Sequence, residues 1–337
     1  RENRGISPPL AERMDDMKIW LRMMSLAVFL ALGCGAFAAL YYVNDGYDAV
    51  NDVYTTAGGN DSNSGTAPSS PKLTLSNLLA SATLVPGDVV YIDTGTYPTN
   101  VVIGTNVVGA AGNRIVFQGS TNLAAGGTIL TAGSGNVLEI RGRYLEFRDI
   151  TIAGGTIGIG LQNAAHNEFF RINAISNSAN GVKTFNLNND SNAFRRCTFY
   201  SLSFGALDFQ ASSSGNYIEH SILGSQNGIS IYPKPNSFSN IVHSICVAPR
   251  IFSSSNDIPR RVENCVFSYT TVFGNDTETL ADVQRIYTNW IGNTVADPKF
   301  VNAEGFDFHL LSAAGFVSNG VWVTNAAVGY SPGIDFG

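Results

Sequence analysis

Three arginines recur in the middle of the chain at an almost constant spacing. Arg148, Arg171 and Arg195 lie 23 and 24 residues apart, and each follows a phenylalanine. Guanidinium groups bind carboxylates through two parallel hydrogen bonds, so a row of them is a candidate binding site for a uronate-containing chain. The alternative is that acidic neighbours neutralise these arginines as surface ion pairs, which contribute little to stability. The acidic candidates are Glu146, Asp149 and Glu219.

Two histidines repeat in the same way further along the chain. His220 and His243 are 23 residues apart and occupy the same place in successive segments. Such an imidazole pair could act as a substrate contact, a general base or half of a metal site. Because no carboxylate and no third imidazole lies next to them in that column of the repeat, a solvent-facing stack is the competing interpretation.

These residues belong to a repeat that predicts the fold. Six four-residue segments align, and each begins with an apolar residue: Phe147, Phe170, Phe194, Ile218, Ile241 and Val262. The first and last residues of a segment are three positions apart and cannot share one face of a straight strand, so a bend is expected between them. Such coils bury their apolar face only by stacking, with strands paired in parallel about 4.8 Å apart. The sequence therefore predicts an all-β, right-handed parallel β-helix, a single-stranded solenoid with coils of about 23–24 residues and an N-terminal cap.

Segments near both ends resemble a known superfamily. They read GNDSNSGT at 59–66, PGDVVY at 86–91 and DTGTY at 93–97, then DPKF at 297–300, DFHL at 307–310 and SPGIDFG at 331–337. These are similar to the entry and closing segments of bacterial pectate-lyase-like β-helix proteins. The resemblance implies a fold and not a reaction, since the superfamily includes lyases, hydrolases, epimerases and noncatalytic surface modules. It also implies a short helix over about 75–82, capped by Thr74, that covers the first coil.

The superfamily resemblance directs attention to Lys183. A β-elimination enzyme of this kind uses an Arg or Lys as base, often beside Ca²⁺ held by clustered acids. Lys183 is the candidate base, with Asp208 on the corresponding strand one coil later, and Asp190 and Asp208 are the candidate metal ligands. Two carboxylates fall short of the acidic cluster of the calcium-dependent enzymes, so an ordinary inter-coil ion pair is the alternative. Sugar rings could stack on Tyr200, Phe204 and Tyr232, which are expected on exposed turns.

The start of the chain has the order of a secretory signal. Lys18 and Arg22 precede an apolar run over 26–32 and the small residues around Ala38, after which we expect cleavage. An uncleaved anchor, or a lipoprotein at Cys34, is the alternative. The expected organisation is an upstream polar segment at 1–16, a signal peptide at 17–38, an entry and cap at 39–84, a β-helix at 85–293 and a closing segment at 294–337.

The composition of the chain limits the kinds of molecule that the protein is expected to bind. Only 14% of residues are charged and the net charge is −6, which argues against a nucleic-acid partner. No stable membrane span is expected in the mature form. Cys197, Cys246 and Cys265 are expected to be free thiols, because their places in the repeat do not bring two of them into bridging geometry.

The preferred hypothesis is a secreted or cell-surface β-helix that binds an extracellular, acidic polysaccharide without a cofactor. One alternative is a polysaccharide lyase or glycoside hydrolase acting on uronate-containing polymers, with Ca²⁺ in the lyase case. Another is an architectural surface spacer or adhesin. The oligomeric state is not predicted.

Overall fold

The backbone of the computed structural model winds through successive coils whose strands stack in three columns. The structure describes residues 38–186, 188–209, 213–232, 239–248, 250–252, 261–268, 279–286, 288–302, 307–310, 316–318 and 321–323. Its helices are α1 (Leu75–Ser81), α2 (Leu280–Ile286) and a 3₁₀ turn at Leu123–Ala125. The predicted signal peptide lies outside the described residues, apart from Ala38.

The strands are numbered in chain order, and those from β1 to β24 pair in parallel with their counterparts in the neighbouring coils. The first column contains β1 (Leu40–Val43), β2 (Val89–Ile92), β5 (Ile115–Gly119), β8 (Leu145–Ala153), β10 (Glu168–Asn177), β12 (Ala193–Arg195), β15 (Asn216–Glu219), β18 (Ser239–Val242), β21 (Arg261–Glu263) and β23 (Trp290–Ile291). The second contains β3 (Gly95–Pro98), β6 (Thr128–Thr131), the later halves of β8 and β10, β13 (Thr198–Ser201), β16 (Ile222–Ser225), β19 (Ile245–Val247), β22 (Val266–Phe267) and β24 (Thr294–Val295).

The third column contains β4 (Val101–Ile103), β7 (Asn136–Ile140), β9 (Ile157–Gln162), β11 (Asn180–Phe185), β14 (Gly205–Asp208), β17 (Ile229–Tyr232) and β20 (Arg250–Phe252). Two antiparallel pairs follow near the end of the chain, β25 (Phe300–Asn302) with β26 (Asp307–Leu310) and β27 (Phe316–Ser318) with β28 (Val321–Val323). Burial alternates along strands such as β5, because successive side chains point into and out of the coil.

The predicted bend between the first two columns is confirmed. In six successive coils a non-glycine residue at this bend has a left-handed backbone, with φ between 47° and 56°. Aspartate, asparagine and histidine are enriched in this conformation, which β-branched residues avoid. We call these six residues the corner column: Asp149, Arg171, Arg196, His220, His243 and Asn264.

An aromatic stack fills the interior of the central coils. Phe147, Phe169 and Phe194 are at most 1% exposed, and their successive ring centroids are 5.1 and 4.7 Å apart. The column continues through Ile218, Ile241 and Val262, as predicted. Stacked rings at these separations add to the stabilisation that burial alone provides.

The prediction that Phe170 belongs to this stack is wrong. Phe170 is in register with Arg148 and Arg195 and lies on the outer face, only partly buried. The reason is coil length, because 22 residues separate Phe147 from Phe169 and 25 separate Phe169 from Phe194. The Phe-Arg dipeptide at 170–171 is therefore one position out of step with those of the neighbouring coils.

A ladder of buried asparagines runs along the turn that leads into the first column. Asn167, Asn192 and Asn216 are fully buried. The backbone N–H of Asn167 donates to Asn192 Oδ1 (3.1 Å), that of Asn192 donates to Asn216 Oδ1 (3.0 Å), and that of Leu145 donates to Asn167 Oδ1 (2.9 Å). Each side-chain oxygen thus satisfies a backbone donor of the preceding coil, which the fold could not leave unpaired.

The predicted N-terminal helix is present as α1. Thr74 caps it, because its hydroxyl accepts a hydrogen bond from the backbone N–H of Asn77 (3.2 Å). Leu75 and Leu78 are buried in the same hydrophobic core as the coils. The parallel stack already begins with β1, which pairs with β2 and lies within the segment assigned to the entry.

Candidate functional site

A cleft of about 430 Å³ runs along the third column. We call it the third-column cleft. Residues from four successive coils line it: Thr156, Ile157, Ala179, Asn180, Lys183, Phe204, Asp208 and Tyr232. It therefore extends along the axis of the solenoid, in the direction in which an extended polymer would lie.

An ion pair lies in this cleft. Lys183 on β11 and Asp208 on β14 are direct partners in the parallel register, and Lys183 Nζ is 2.9 Å from Asp208 Oδ2. The side chains are 27% and 13% exposed. The sequence analysis placed Lys183 and Asp208 on corresponding strands, both as a candidate catalytic site and as an ordinary ion pair. The register confirms this placement. An ammonium group in direct contact with a carboxylate is a hydrogen-bond donor rather than a proton acceptor, which disfavours Lys183 as a free base.

Two aromatic residues share the cleft with the ion pair. Tyr232 follows Asp208 in the next coil at the same register position, so the row from Lys183 to Tyr232 spans two coil rises, about 10 Å. Phe204 lies in the turn before β14 and is 59% exposed. An exposed aromatic ring offers a flat apolar face on which a sugar ring can stack.

Tyr200, the third aromatic residue expected on an exposed turn, has a different environment. It lies within β13, and its ring centroid is 4.9 Å from that of Phe308 in β26. Phe308 is buried and also meets Phe300 edge-on. Tyr200 therefore packs against the closing segment instead of presenting its face to a sugar.

Asp190, predicted with Asp208 as a metal ligand, has protein partners. Its Oδ1 accepts hydrogen bonds from the backbone N–H of Ser214 (2.6 Å) and from the Ser214 hydroxyl (3.2 Å). Within the described segments, no group of three potential metal ligands includes Asp190 or Asp208. Calcium binding by this pair stays a prediction.

The arginines are neutralised by the acidic residues named as the alternative. Arg148 Nε is 2.6 Å from Glu146 Oε1, and Arg195 Nε is 3.4 Å from Glu219 Oε2. Arg171 donates twice to Asp149, at 2.5 and 2.7 Å, and these hydrogen bonds raise the pKa of its guanidinium group. Arg171 is also displaced from the row of Arg148 and Arg195, because Phe170 occupies that place. The three arginines therefore do not form a continuous row of free forks.

Arg196 is a cation that the sequence analysis did not single out. It is exposed, and its guanidinium carbon lies 5.6 Å from the centre of the Phe170 ring, which Arg171 approaches at 4.3 Å. Among the residues that the structure describes, no ion pair involves Arg196. Aligning the segments by their left-handed corner would have placed it beside Arg171.

The two histidines meet as predicted. The ring centroids of His220 and His243 are 5.0 Å apart on consecutive coils. A carboxylate is nevertheless present, since Glu219 Oε1 lies 3.7 Å from His220 Nδ1. Spacing alone did not reveal it because Glu219 belongs to the adjoining position of the repeat.

Several solved structures are similar to this chain. An alginate lyase from Paenibacillus sp. str. FPU-7 is 16% identical, with a TM-score of 0.46 over 67% of this chain and 85% of that one. A pectin methylesterase mutant in complex with a hexasaccharide is 11% identical, with a TM-score of 0.49 over 77% of this chain and 90% of that one. A pectate lyase is 14% identical, with a TM-score of 0.46 over 88% of this chain and 90% of that one.

At these identities the likeness concerns the fold alone. The stacked parallel strands show that the chain is a parallel β-helix, as the sequence predicted. No protein family model matches the sequence, and no curated protein matches it either. None of the helices in the described part of the chain is long and apolar enough to cross a membrane.

Proposed function

We propose that this protein is a secreted or cell-surface β-helix that binds extracellular polysaccharide in the third-column cleft without cleaving it. The observation that carries the proposal is that Lys183, Asp208, Phe204 and Tyr232 line one cleft. An aromatic face, an ammonium donor and a carboxylate acceptor are the groups that recognise the apolar face and the hydroxyl groups of a sugar.

The argument for binding rather than catalysis rests on the ion pair. Lys183 is engaged by Asp208, and Asp208 is the only carboxylate among the described residues that line the cleft. A glycoside hydrolase of the usual kind needs two carboxyl groups on opposite sides of the scissile bond. A lyase needs a base that is free to take a proton.

The cleft carries one positive and one negative side chain, so it is suited to neutral as well as uronate-containing polymers. The acidic preference expected from the arginines loses support, because all three are paired with carboxylates of the protein itself. A panel of pectate, alginate, glucuronan and a neutral galactan separates the two classes of polymer.

The test is affinity electrophoresis of the protein through gels that contain each polymer, with and without Ca²⁺. Phe204→Ala removes an exposed platform and should weaken retention about tenfold, equivalent to about 1.4 kcal/mol. Tyr47→Ala is the matched control, since Tyr47 is 57% exposed but lies in the entry segment, away from the residues that line the cleft. Equal retention of the two variants would show that the polymer does not bind in the third-column cleft.

Ultraviolet absorbance and a reducing-sugar assay of the same mixtures test catalysis. If the wild type forms unsaturated products and Lys183→Ala does not, the protein is a lyase and not a binding module. If the wild type forms new reducing ends without unsaturated products, and Asp208→Asn does not form them, the protein is a hydrolase. Absence of retention on every polymer would favour the architectural spacer or adhesin.

Secretion is supported by the signal-like order of residues 17–38. We expect N-terminal sequencing of protein recovered outside the producing cells to begin at Ala39. A lipid-modified Cys34 at the start of the mature chain would instead indicate a lipoprotein.

A further inference from the structure

Two histidines of the corner column and the glutamate before one of them form a cluster that the polysaccharide proposal does not use. We propose that Glu219, His220 and His243 form a binding site for a divalent transition metal, with zinc as the ion of choice. One ligand atom from each of the three residues lies within 4.8 Å of the other two. In the described parts of the chain, no other group of three such residues is arranged in this way.

The backbone holds the two imidazoles together. His220 and His243 have left-handed φ values of 49° and 47° at the same position of consecutive coils. The backbone N–H of His243 donates to Glu263 O (2.9 Å), which fixes the corner to the following coil. The two rings therefore meet because of inter-coil pairing rather than through chance contact of mobile side chains.

Glu219 is oriented toward the histidines by an arginine. Arg195 Nε approaches Oε2 of Glu219 at 3.4 Å, whereas Oε1 lies 3.7 Å from His220 Nδ1. The arginine thus occupies one oxygen and leaves the other facing the imidazole. A group that fixes a ligating carboxylate in this way is a usual part of metal sites in proteins.

His243 provides a second, independent observation. Its Nδ1 is buried and has no hydrogen-bond partner among the described residues, while its Nε2 is 3.1 Å from the Asn264 amide. A buried polar atom without a partner is costly, and a cation would supply the missing interaction. The atom of Asn264 at this distance is the amide nitrogen Nδ2. A metal bound at Nδ1 leaves the proton on Nε2, so the amide must turn to present its oxygen, which then accepts the hydrogen bond that orients a ligating histidine.

The ligand set selects the class of ion. Two imidazoles and one carboxylate suit zinc and its transition-metal neighbours, whereas calcium and magnesium prefer oxygen alone. Bonds of about 2.0–2.1 Å in a tetrahedron place ligand atoms about 3.3 Å apart, so the side chains must close in by at most about 1.5 Å. The side chains of Glu219 and His220 are 25% and 36% exposed and have room for this movement. Three protein ligands leave the fourth position for water.

The test is calorimetric titration of the tag-free, chelator-treated full chain with zinc chloride. The variants are His220→Asn, His243→Asn and Glu219→Gln, since asparagine tolerates the left-handed backbone of the two corner positions. The matched control is His166→Asn, because His166 has a φ of 58° but stacks on Tyr144 elsewhere in the molecule. Circular dichroism verifies that each variant is folded.

We expect one equivalent of zinc per wild-type chain, at least a tenfold loss of affinity in each histidine variant, and unchanged binding in the control. Zinc should also raise the midpoint of thermal unfolding of the wild type but not of the double histidine variant, since a ligand stabilises the state that binds it. Binding by the double variant with wild-type affinity, or no binding by the wild type, would overturn the proposal.

Discussion

The register of β10 predicts that two adjacent phenylalanines contribute very differently to the stability of the protein. Phe169→Ala should destabilise the protein by about 3–5 kcal/mol, the usual cost of emptying a buried phenylalanine site. Phe169 is only 1% exposed, and its ring lies 5.1 Å from Phe147 and 4.7 Å from Phe194, so truncation breaks two stacked contacts as well as leaving a cavity. Phe170→Ala should cost only about 0.5–1 kcal/mol, because it removes a partly exposed ring beneath Arg171.

Urea unfolding followed by far-ultraviolet circular dichroism measures the difference as a shift of the transition midpoint at constant slope. Where the coils unfold in more than one step, hydrogen exchange of β10 and its two neighbouring strands gives the same comparison locally. An equal loss of unfolding free energy in the two variants, or a larger loss for Phe170→Ala, would contradict this register. It would favour the alignment of the Phe-Arg dipeptides, in which Phe170 lies in the interior stack.

Three further outcomes follow from the buried polar groups and the cap. Burial raises the pKa of Cys197 and Cys265 to about 12 and that of Cys246 well above its ordinary range, so iodoacetamide at neutral pH should modify these thiols only after unfolding, as peptide mapping would show. Thr74→Ala should cost about 1 kcal/mol of the unfolding free energy in the same urea assay, since it removes the cap of α1. Asn192→Ala should cost at least about 1–3 kcal/mol because it leaves a buried backbone N–H without an acceptor, and exposed Asn227→Ala, the control, should be close to neutral.

Features that depend on local signals could be predicted from the sequence. The resemblance implied the helix at 75–81 with Thr74 as its cap, and the corner follows from apolar residues three positions apart, which cannot face one way on a straight strand. The pairing of Lys183 with Asp208 also followed from the repeat. In each case the relevant information lies within one coil or in the constant offset between two coils.

The errors have a common physical origin in the turns. Phe169 and Phe170 are equally apolar, and the choice between them depends on how many residues the preceding turns absorb, which no local preference records. Glu219 reaches His220 because the left-handed corner brings neighbouring outer side chains together, and a spacing rule sees only residues at the same position of the repeat. The cleft, likewise, joins the turn residue Phe204 to the strand residues Lys183 and Asp208, although no spacing relates Phe204 to that pair.

The asparagine ladder limits how a protein of this kind can change in length during evolution. Each amide of Asn167, Asn192 and Asn216 reaches across one coil to a fixed backbone donor or acceptor, so a residue inserted in that turn would disconnect two coils at once. Duplication or deletion of an entire coil preserves every link, because the new neighbours present the same groups. Divergent copies should therefore differ by whole coils along this edge and collect their small insertions in the turns outside the ladder.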